Sequence, residues 1–174
     1  MRKSKSGFTI VELLIVIVVI GILAAITIVA YNGVQQRAQD ATRKSDIAAI
    51  AKSLQIYNVD NGNYMYTGSN CGNSGNGTGW FNLDYDGTTT TLKSVAQCLV
   101  DSNTLSKEVK DPSGTVSCGV GTVCHAYIKQ TCPGGTYLYA SLESEPTMVD
   151  GPANGSCVPS YDTAYGMNYI VKVN

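Results

Sequence analysis

The chain has 174 residues, enough for one modest domain plus an extended element, and it carries 12 basic and 13 acidic side chains. Residues 62–174 contain five lysines and nine carboxylates. Nucleic-acid binding depends on clustered basic side chains, so this mildly acidic region has no strong nucleic-acid-binding signature. An even number of cysteines beyond an apolar segment favours disulfides in an oxidising compartment. The six cysteines are Cys71, Cys98, Cys118, Cys124, Cys132 and Cys157.

One long apolar segment follows a short basic leader at the N-terminus. From Phe8 to Ala30 the 23 residues are apolar except for Thr9, Glu12 and Thr27. As a helix, a segment of this length extends about 34 Å, which exceeds the roughly 30 Å of a membrane hydrocarbon core. The apolar stretch is too long for an ordinary secretory signal. Its length therefore predicts a single-pass membrane helix.

Glu12 is the feature that a simple membrane anchor does not explain. An ionised carboxylate inside an apolar helix costs about 3 kcal/mol unless it finds a partner, and such residues are functional-site candidates. The surrounding sequence, Lys-Ser-Gly-Phe-Thr-Ile-Val-Glu-Leu-Leu-Ile-Val from position 5 to position 16, resembles the class III signal of type IV prepilins and the related pseudopilins. The resemblance is strong over residues 1–30 and fair to about residue 60.

This resemblance implies that a prepilin peptidase removes the leader, residues 1–7, by cutting between Gly7 and Phe8. It further implies methylation of the new amino terminus at Phe8, and contact between Glu12 and the charged terminus of a neighbouring subunit. Opposite charges in a low-dielectric bundle favour one registry over others, so we expect Phe8 and Glu12 to direct subunit assembly. Many relatives carry a proline late in the apolar helix. Residues 26–30 of this chain do not, which leaves open whether the helix is partly melted in a fibre.

The apolar helix, residues 8–30, is predicted to continue as an amphipathic helix over residues 31–61. Apolar residues recur on one face, and most charged side chains are predicted to lie on a solvated opposite face. Asn61-Gly62 is a typical helix end, with Gly62 as a C-cap. The apolar positions are Val34, Ala38, Ala41, Ile47, Ile50, Leu54 and Tyr57; the charged ones are Arg37, Asp40, Arg43, Lys44, Asp46 and Lys52.

Residues 62–174 are predicted to form a disulfide-bearing globular head. Residues 68–79 have the Gly, Asn and Ser content of a loop, and residues 91–100 have the spacing of a short helix. Near-alternating segments over 123–131, 136–142 and 167–173 predict antiparallel strands. The chain is therefore expected to be α+β, a long N-terminal helix packed against a small antiparallel sheet, and the resemblance implies the order of that sheet.

The sequence contains few signals of a catalytic site or a metal site. His125 is the single histidine and adjoins Cys124, but neighbouring strand residues point to opposite faces, and no Cys-x-x-Cys spacing is present. Six cysteines allow fifteen pairings. We expect Cys71 with Cys98, Cys118 with Cys124, and Cys132 with Cys157, the last because pilins often tie down their C-terminal loop. We predict no enzyme activity, cofactor or metal site.

Two further features have a functional and a simpler interpretation. Carboxylates at Glu143, Glu145, Asp150 and Asp162 could bind calcium, as the loops of some pseudopilins do, but the spacing of a known calcium loop is missing. A solvated acidic loop is the preferred interpretation. Trp80-Phe81 could belong to an adhesive surface, but core packing of Trp80 is the simpler alternative.

The sequence therefore predicts a structural subunit of a type IV pilus, held in the cytoplasmic membrane and then polymerised with itself and other pilins into an extracellular filament. Motility, adhesion and DNA uptake are tasks of such fibres. The alternatives are a minor pilin that acts as an adhesin and a pseudopilin of a type II secretion system. The sequence does not distinguish a major from a minor subunit.

Overall fold

A computed structural model describes residues 7–66, 68–83, 92–132, 134–146 and 164–174. Helix α1 spans Ile10–Asn61 and helix α2 spans Val95–Asp101. The four strands are β1 (Gly79–Trp80), β2 (Ile128–Cys132), β3 (Gly135–Ala140) and β4 (Tyr169–Lys172), and they form one antiparallel sheet in the order β1-β2-β3-β4. The predicted α+β class, with a long helix and a small sheet, is confirmed.

Helix α1 ends where the sequence predicts. The Gly62 amide donates to the carbonyl of Asn58, and Gly62 has a φ of 72°, the left-handed conformation that terminates many helices. Helix α2 starts later than predicted, because the Ser94 hydroxyl accepts from the Gln97 amide and thereby caps the helix at that point. The three predicted strands match β2, β3 and β4 with shorter bounds. Strand β1 was missed, since two residues carry no periodicity.

Two compact units divide the chain within α1, the first ending at Ala38 and the second comprising Gln39–Asn174. In the second unit, Ile47, Ile50 and Leu54 are fully buried at helical spacing. They belong to one hydrophobic core with Tyr127 and Leu138 of the sheet side. This part of the predicted apolar stripe is confirmed. Its first three members, Val34, Ala38 and Ala41, are exposed instead.

The prediction of a solvated charged face on α1 is wrong for Arg43 and Asp40. Both side chains are buried, with 0% of Arg43 exposed. Asp46 is partly buried and accepts a 2.7 Å hydrogen bond from the hydroxyl of Tyr127. Charged groups can be buried when each finds opposite charge or hydrogen bonds, and helical periodicity does not reveal such partners.

Arg43 is the centre of a buried ionic cluster. Its Nε donates to Asp111 at 2.8 Å, and its Nη1 donates to both Asp40 and Glu143 at 3.0 Å. These contacts raise the pKa of the guanidinium against the opposing effect of burial. One cation therefore joins α1 to two distant segments of the chain, around Asp111 and around Glu143.

Asp40 fastens the segment after β3 to α1. Its carboxylate accepts from the backbone amides of Glu143 and Ser144, each at 2.8 Å, and from the Ser144 hydroxyl at 2.6 Å. Burial alone would raise the pKa of Asp40, but these hydrogen bonds and Arg43 lower it below its ordinary value. On the opposite side, the Asn168 amide donates to the carbonyls of Leu142 and Glu145. Residues 142–145 are thus held from both sides.

Residues 62–66 and 68–79 form a loop with many hydrogen bonds, more than its glycine-rich composition suggests. Lys129, fully buried on β2, donates from Nζ to the carbonyls of Met65 at 3.0 Å and Gly77 at 2.5 Å. A Cβ at Gly77 would lie 1.9 Å from the Met65 carbonyl oxygen, so glycine is required there. Burial lowers the pKa of Lys129 to about 7.

Replacing Arg43 should destabilise the second unit strongly. Arg43→Met leaves three carboxylates facing one another without a cation, for which we expect a loss of about 3–5 kcal/mol in the free energy of unfolding. Chemical denaturation of the full chain in detergent micelles measures this loss. Lys44→Met is the matched control, because Lys44 is exposed and its 3.6 Å contact with Glu145 should contribute less than about 1 kcal/mol. Equal effects of the two substitutions would contradict the assignment.

Lys129 should make stability rise with pH. An unfolded lysine titrates near pH 10.4, and the folded pKa is about 7, so between these values the unfolded chain binds more protons than the folded chain. The free energy of unfolding should therefore increase from pH 7 to pH 9, by up to about 1.4 kcal/mol per pH unit. Denaturation at pH 7, 8 and 9 tests this. Lys129→Met should remove most of the slope; parallel profiles for the two proteins would refute it.

Candidate assembly site

The start of α1 is built around a reciprocal pair, Thr9 and Glu12. The Glu12 carboxylate accepts hydrogen bonds from the Thr9 amide and the Thr9 hydroxyl, each at 2.8 Å, and the Glu12 amide donates to the Thr9 hydroxyl at 3.3 Å. This is a capping box, in which a Thr at the N-cap and a Glu three residues later satisfy otherwise unpaired backbone amides. The sequence signal, Thr-x-x-Glu before an apolar run, was present and was missed.

Around this polar pair, the side chains are apolar and exposed. Phe8 is 85% exposed and Ile10 is 84% exposed, and every described side chain from Gly7 to Ile28 is exposed. Within the described residues, α1 is the one helix long and apolar enough to cross a membrane, and none of its most apolar window is buried inside the protein. Its apolar surface needs either lipid or other helices as surroundings.

The apolar part of α1 contains no break in its helical assignment. Asn32 and Gly33, where a glycine could weaken the helix, lie inside it without interruption. The Thr27 hydroxyl donates to the carbonyls of Leu23 at 2.8 Å and Ala24 at 3.0 Å, so this polar side chain is satisfied within the helix.

The structure contains two of the expected cysteine pairs, Cys71 with Cys98 and Cys118 with Cys124. Cys132 is also disulfide-bonded, whereas Cys157 lies outside the described residues. Because Cys124 is oxidised, it cannot act as a thiolate ligand or nucleophile beside His125. Among the residues that the structure describes, no group of three or more His, Cys, Asp or Glu side chains could hold a metal ion.

The acidic residues of the C-terminal loop are not arranged as one solvated group. Glu143 contacts Arg43 and is only 23% exposed at its side chain, which corrects the expectation of a solvated carboxylate at this position. Glu145 stays exposed near Lys44. Asp150 and Asp162 lie outside the described residues.

The aromatic pair is used in packing. Trp80 makes an edge-to-face contact with Tyr165, with 5.0 Å between the ring centroids, and Phe81 is fully buried. The simpler interpretation of Trp80 agrees with these contacts, because an exposed adhesive surface would leave the ring free.

Comparison with known proteins identifies the N-terminal segment. The family described as "Prokaryotic N-terminal methylation motif" matches residues 2–28. Type II secretion system core protein G of Pseudomonas aeruginosa is 39% identical over 66 residues, which are 38% of this chain and 46% of that protein. The chain therefore carries this methylation motif and is similar to type II secretion system core protein G over 38% of its length. This segment contains Gly7, Phe8, the Thr9–Glu12 capping box and most of the exposed apolar helix.

Other relatives carry the same printed name. Type II secretion system core protein G of Aeromonas hydrophila is 36% identical over 66 residues, covering 38% of this chain and 46% of the relative. The protein of that name from Escherichia coli strain K12 is 38% identical over 64 residues, covering 37% and 44% respectively. The chain thus spans a little less than half the length of the curated relatives it matches. No solved structure matches the chain significantly.

Removing the Thr9 hydroxyl should fray the start of the prepilin helix. Thr9→Val keeps the side-chain shape but deletes the group that accepts from the Glu12 amide and donates to the Glu12 carboxylate, which should cost about 1 kcal/mol of local stability. Amide hydrogen exchange in micelles measures this loss at Val11, Glu12 and Leu13. Thr9→Ser, which keeps the hydroxyl, is the control. Unchanged exchange in Thr9→Val would show that the cap does not hold this helix start.

Proposed function

We propose that this protein is a structural subunit of a pilin-like filament, and that the filament is the pseudopilus of a type II secretion system. The observation that carries the proposal is the prepilin motif at residues 2–28, which coincides with an exposed apolar helix. The relatives named type II secretion system core protein G favour a secretion pseudopilus over a surface pilus. The sequence alone favoured the surface pilus and gave the secretion pseudopilus as an alternative.

In this proposal, prepilin peptidase cleaves between Gly7 and Phe8 and the new terminus at Phe8 is methylated. The exposed side chains of the first part of α1 are surrounded by lipid before assembly and by copies of the same helix afterwards. Both Gly7 and Phe8 are exposed next to the helix start at Ile10, as a protease substrate requires. Purified filaments should yield a chain that starts at a methylated Phe8 in mass spectrometry, and a chain that starts at Met1 would overturn the processing step.

Glu12 has two roles in this proposal, and two substitutions separate them. In the single subunit it accepts hydrogen bonds from Thr9. In the filament its charge attracts the amino terminus of a neighbouring Phe8. Glu12→Gln keeps an oxygen acceptor for the capping box but removes the charge, whereas Glu12→Ala removes both.

We expect both Glu12 substitutions to reduce the yield of sheared or cross-linked filaments at least tenfold while the chain still accumulates in the membrane. Quantitative immunoblotting of the filament and membrane fractions measures this. Thr9→Ser should assemble normally. If Glu12→Gln assembled like the wild type and Glu12→Ala did not, the capping hydrogen bonds would account for Glu12, and its proposed ionic contact would be refuted.

A surface type IV pilus is the second candidate function. It is supported by the disulfide-bonded head, in which Cys71, Cys118 and Cys132 each take part in a disulfide, as suits a protein exposed outside the cell. Deleting the protein distinguishes the two functions. Loss of secreted enzymes with unchanged surface fibres supports the pseudopilus, and loss of surface fibres with normal secretion supports the pilus.

A further inference from the structure

A pocket of about 410 Å³ with a mixed polar and apolar lining lies beside the Cys71–Cys98 disulfide. The end of α1 contributes Tyr57 and Asn61, and the end of α2 contributes Asp101. The volume falls within the range of about 300–1,000 Å³ that is typical of pockets for small ligands. The remaining wall comprises Ser69, Asn70, Lys93 and Ser102.

The charges in this pocket cancel. The Lys93 ammonium lies 2.6 Å from the Asp101 carboxylate, which also accepts from the Gln97 side chain at 2.7 Å. Both charged side chains are still about half exposed, at 51% and 40%, so they can add further hydrogen bonds. An anionic or cationic ligand would have to compete with this ion pair, whereas a neutral ligand could bind both partners.

The wall that presents Asn70 is held rigidly by the backbone. The Asn70 carbonyl accepts from the Lys93 amide at 3.2 Å, and the Lys93 carbonyl accepts from the Gly72 amide at 2.8 Å. Asn70 has a φ of 56°, a conformation that is uncommon for residues with a side chain. The disulfide at the next residue adds a covalent restraint. Because the backbone of this wall is held before a ligand arrives, little backbone conformational entropy is lost on binding.

Two side chains of the pocket have unused hydrogen-bonding capacity. Within the described residues, no protein group hydrogen-bonds to the Tyr57 hydroxyl or to the exposed amide group of Asn70, and the Tyr57 ring is partly buried against the hydrophobic core. An amide both donates and accepts, the Asp101 carboxylate accepts and the Lys93 ammonium donates. The ring offers an apolar surface next to these groups.

We propose that this pocket binds a neutral saccharide. A sugar ring has hydroxyl groups that donate and accept at once, which suits the amide of Asn70 and the Lys93–Asp101 pair. It also has an apolar face of C–H groups, which suits the ring of Tyr57. A peptide would need separate apolar subsites for several side chains, whereas Tyr57 is the one aromatic residue among the described residues that line this pocket. The proposal concerns the second unit alone and does not rest on filament assembly.

The experiment uses the full chain in detergent micelles and a panel of neutral oligomers of glucose, galactose, mannose and N-acetylglucosamine. Oligomers of galacturonic acid and a mixture of unmodified tripeptides serve as competing classes. Saturation-transfer NMR detects binding, and titration gives the Kd. We expect at least one neutral oligosaccharide to bind with a millimolar or lower Kd, and neither competing class to bind.

Two variants locate the site. Asn70→Gly keeps the backbone conformation and removes the amide, and Tyr57→Ala removes the ring; each should raise the Kd at least tenfold. Asn73→Ala, which changes the same loop outside the pocket, should bind like the wild type. Glu12→Gln should also bind like the wild type, so failed assembly and failed binding remain distinguishable.

Three results would overturn the proposal. The first is that no neutral oligosaccharide in the panel binds. The second is that the galacturonate oligomers or tripeptides bind instead, which would assign another class of ligand. The third is that oligosaccharide binding persists unchanged in Asn70→Gly, or in Tyr57→Ala if that variant retains the wild-type far-UV circular dichroism.

Discussion

An ionised carboxylate near the start of an apolar helix needs a hydrogen-bonding partner in every environment that the helix enters. In one subunit, Glu12 meets this requirement through Thr9, which supplies an amide and a hydroxyl within its own chain. The hydrogen bonds also close the first turn of α1, so the residue that is costly in lipid is also the residue that defines where the helix begins. In the proposed filament, a neighbouring ammonium group would offer a charged partner instead, and exchange between the two partners would couple assembly to the helix start.

The two units use polar groups on α1 for different purposes. From Gly7 to Ile28, one carboxylate stands out in a mostly apolar and exposed surface. After Gln39, Asp40 and Arg43 are buried and connect the helix to residues around Asp111 and Glu143. Hydrophobic side chains such as Ile47 and Leu54 supply most of the burial there, but apolar contacts are not directional. The ionic cluster determines which segments contact the helix. One of them, at Glu143, lies just after the end of β3.

Spacing and composition predicted the elements that are defined by short stretches of sequence. The apolar length of α1, its end at Gly62 and the presence of β2, β3 and β4 all follow from spacing and composition within a short window. The burial of Arg43 does not follow from such a window, because two of its three carboxylate partners lie 68 and 100 residues away along the chain and no local pattern marks them. At the candidate assembly site, Gly7, Phe8 and Glu12 were predicted through a family resemblance. The role of Thr9 could have been found from the capping signature alone.

The glycine-rich segment shows most clearly why composition underestimates order. Glycines at positions such as Gly72 and Gly77 permit close approach of backbone to backbone, where any side chain would collide. Once there, the loop is held by the Cys71–Cys98 disulfide on one side and by the buried Lys129 on the other. Cys71 belongs to the loop, whereas its partner Cys98 is 27 residues away from it and Lys129 is 52 residues away from Gly77 along the chain. The backbone of a segment with little capacity for a core is therefore held in place, and such preorganisation lowers the entropic cost of the ligand binding proposed beside it.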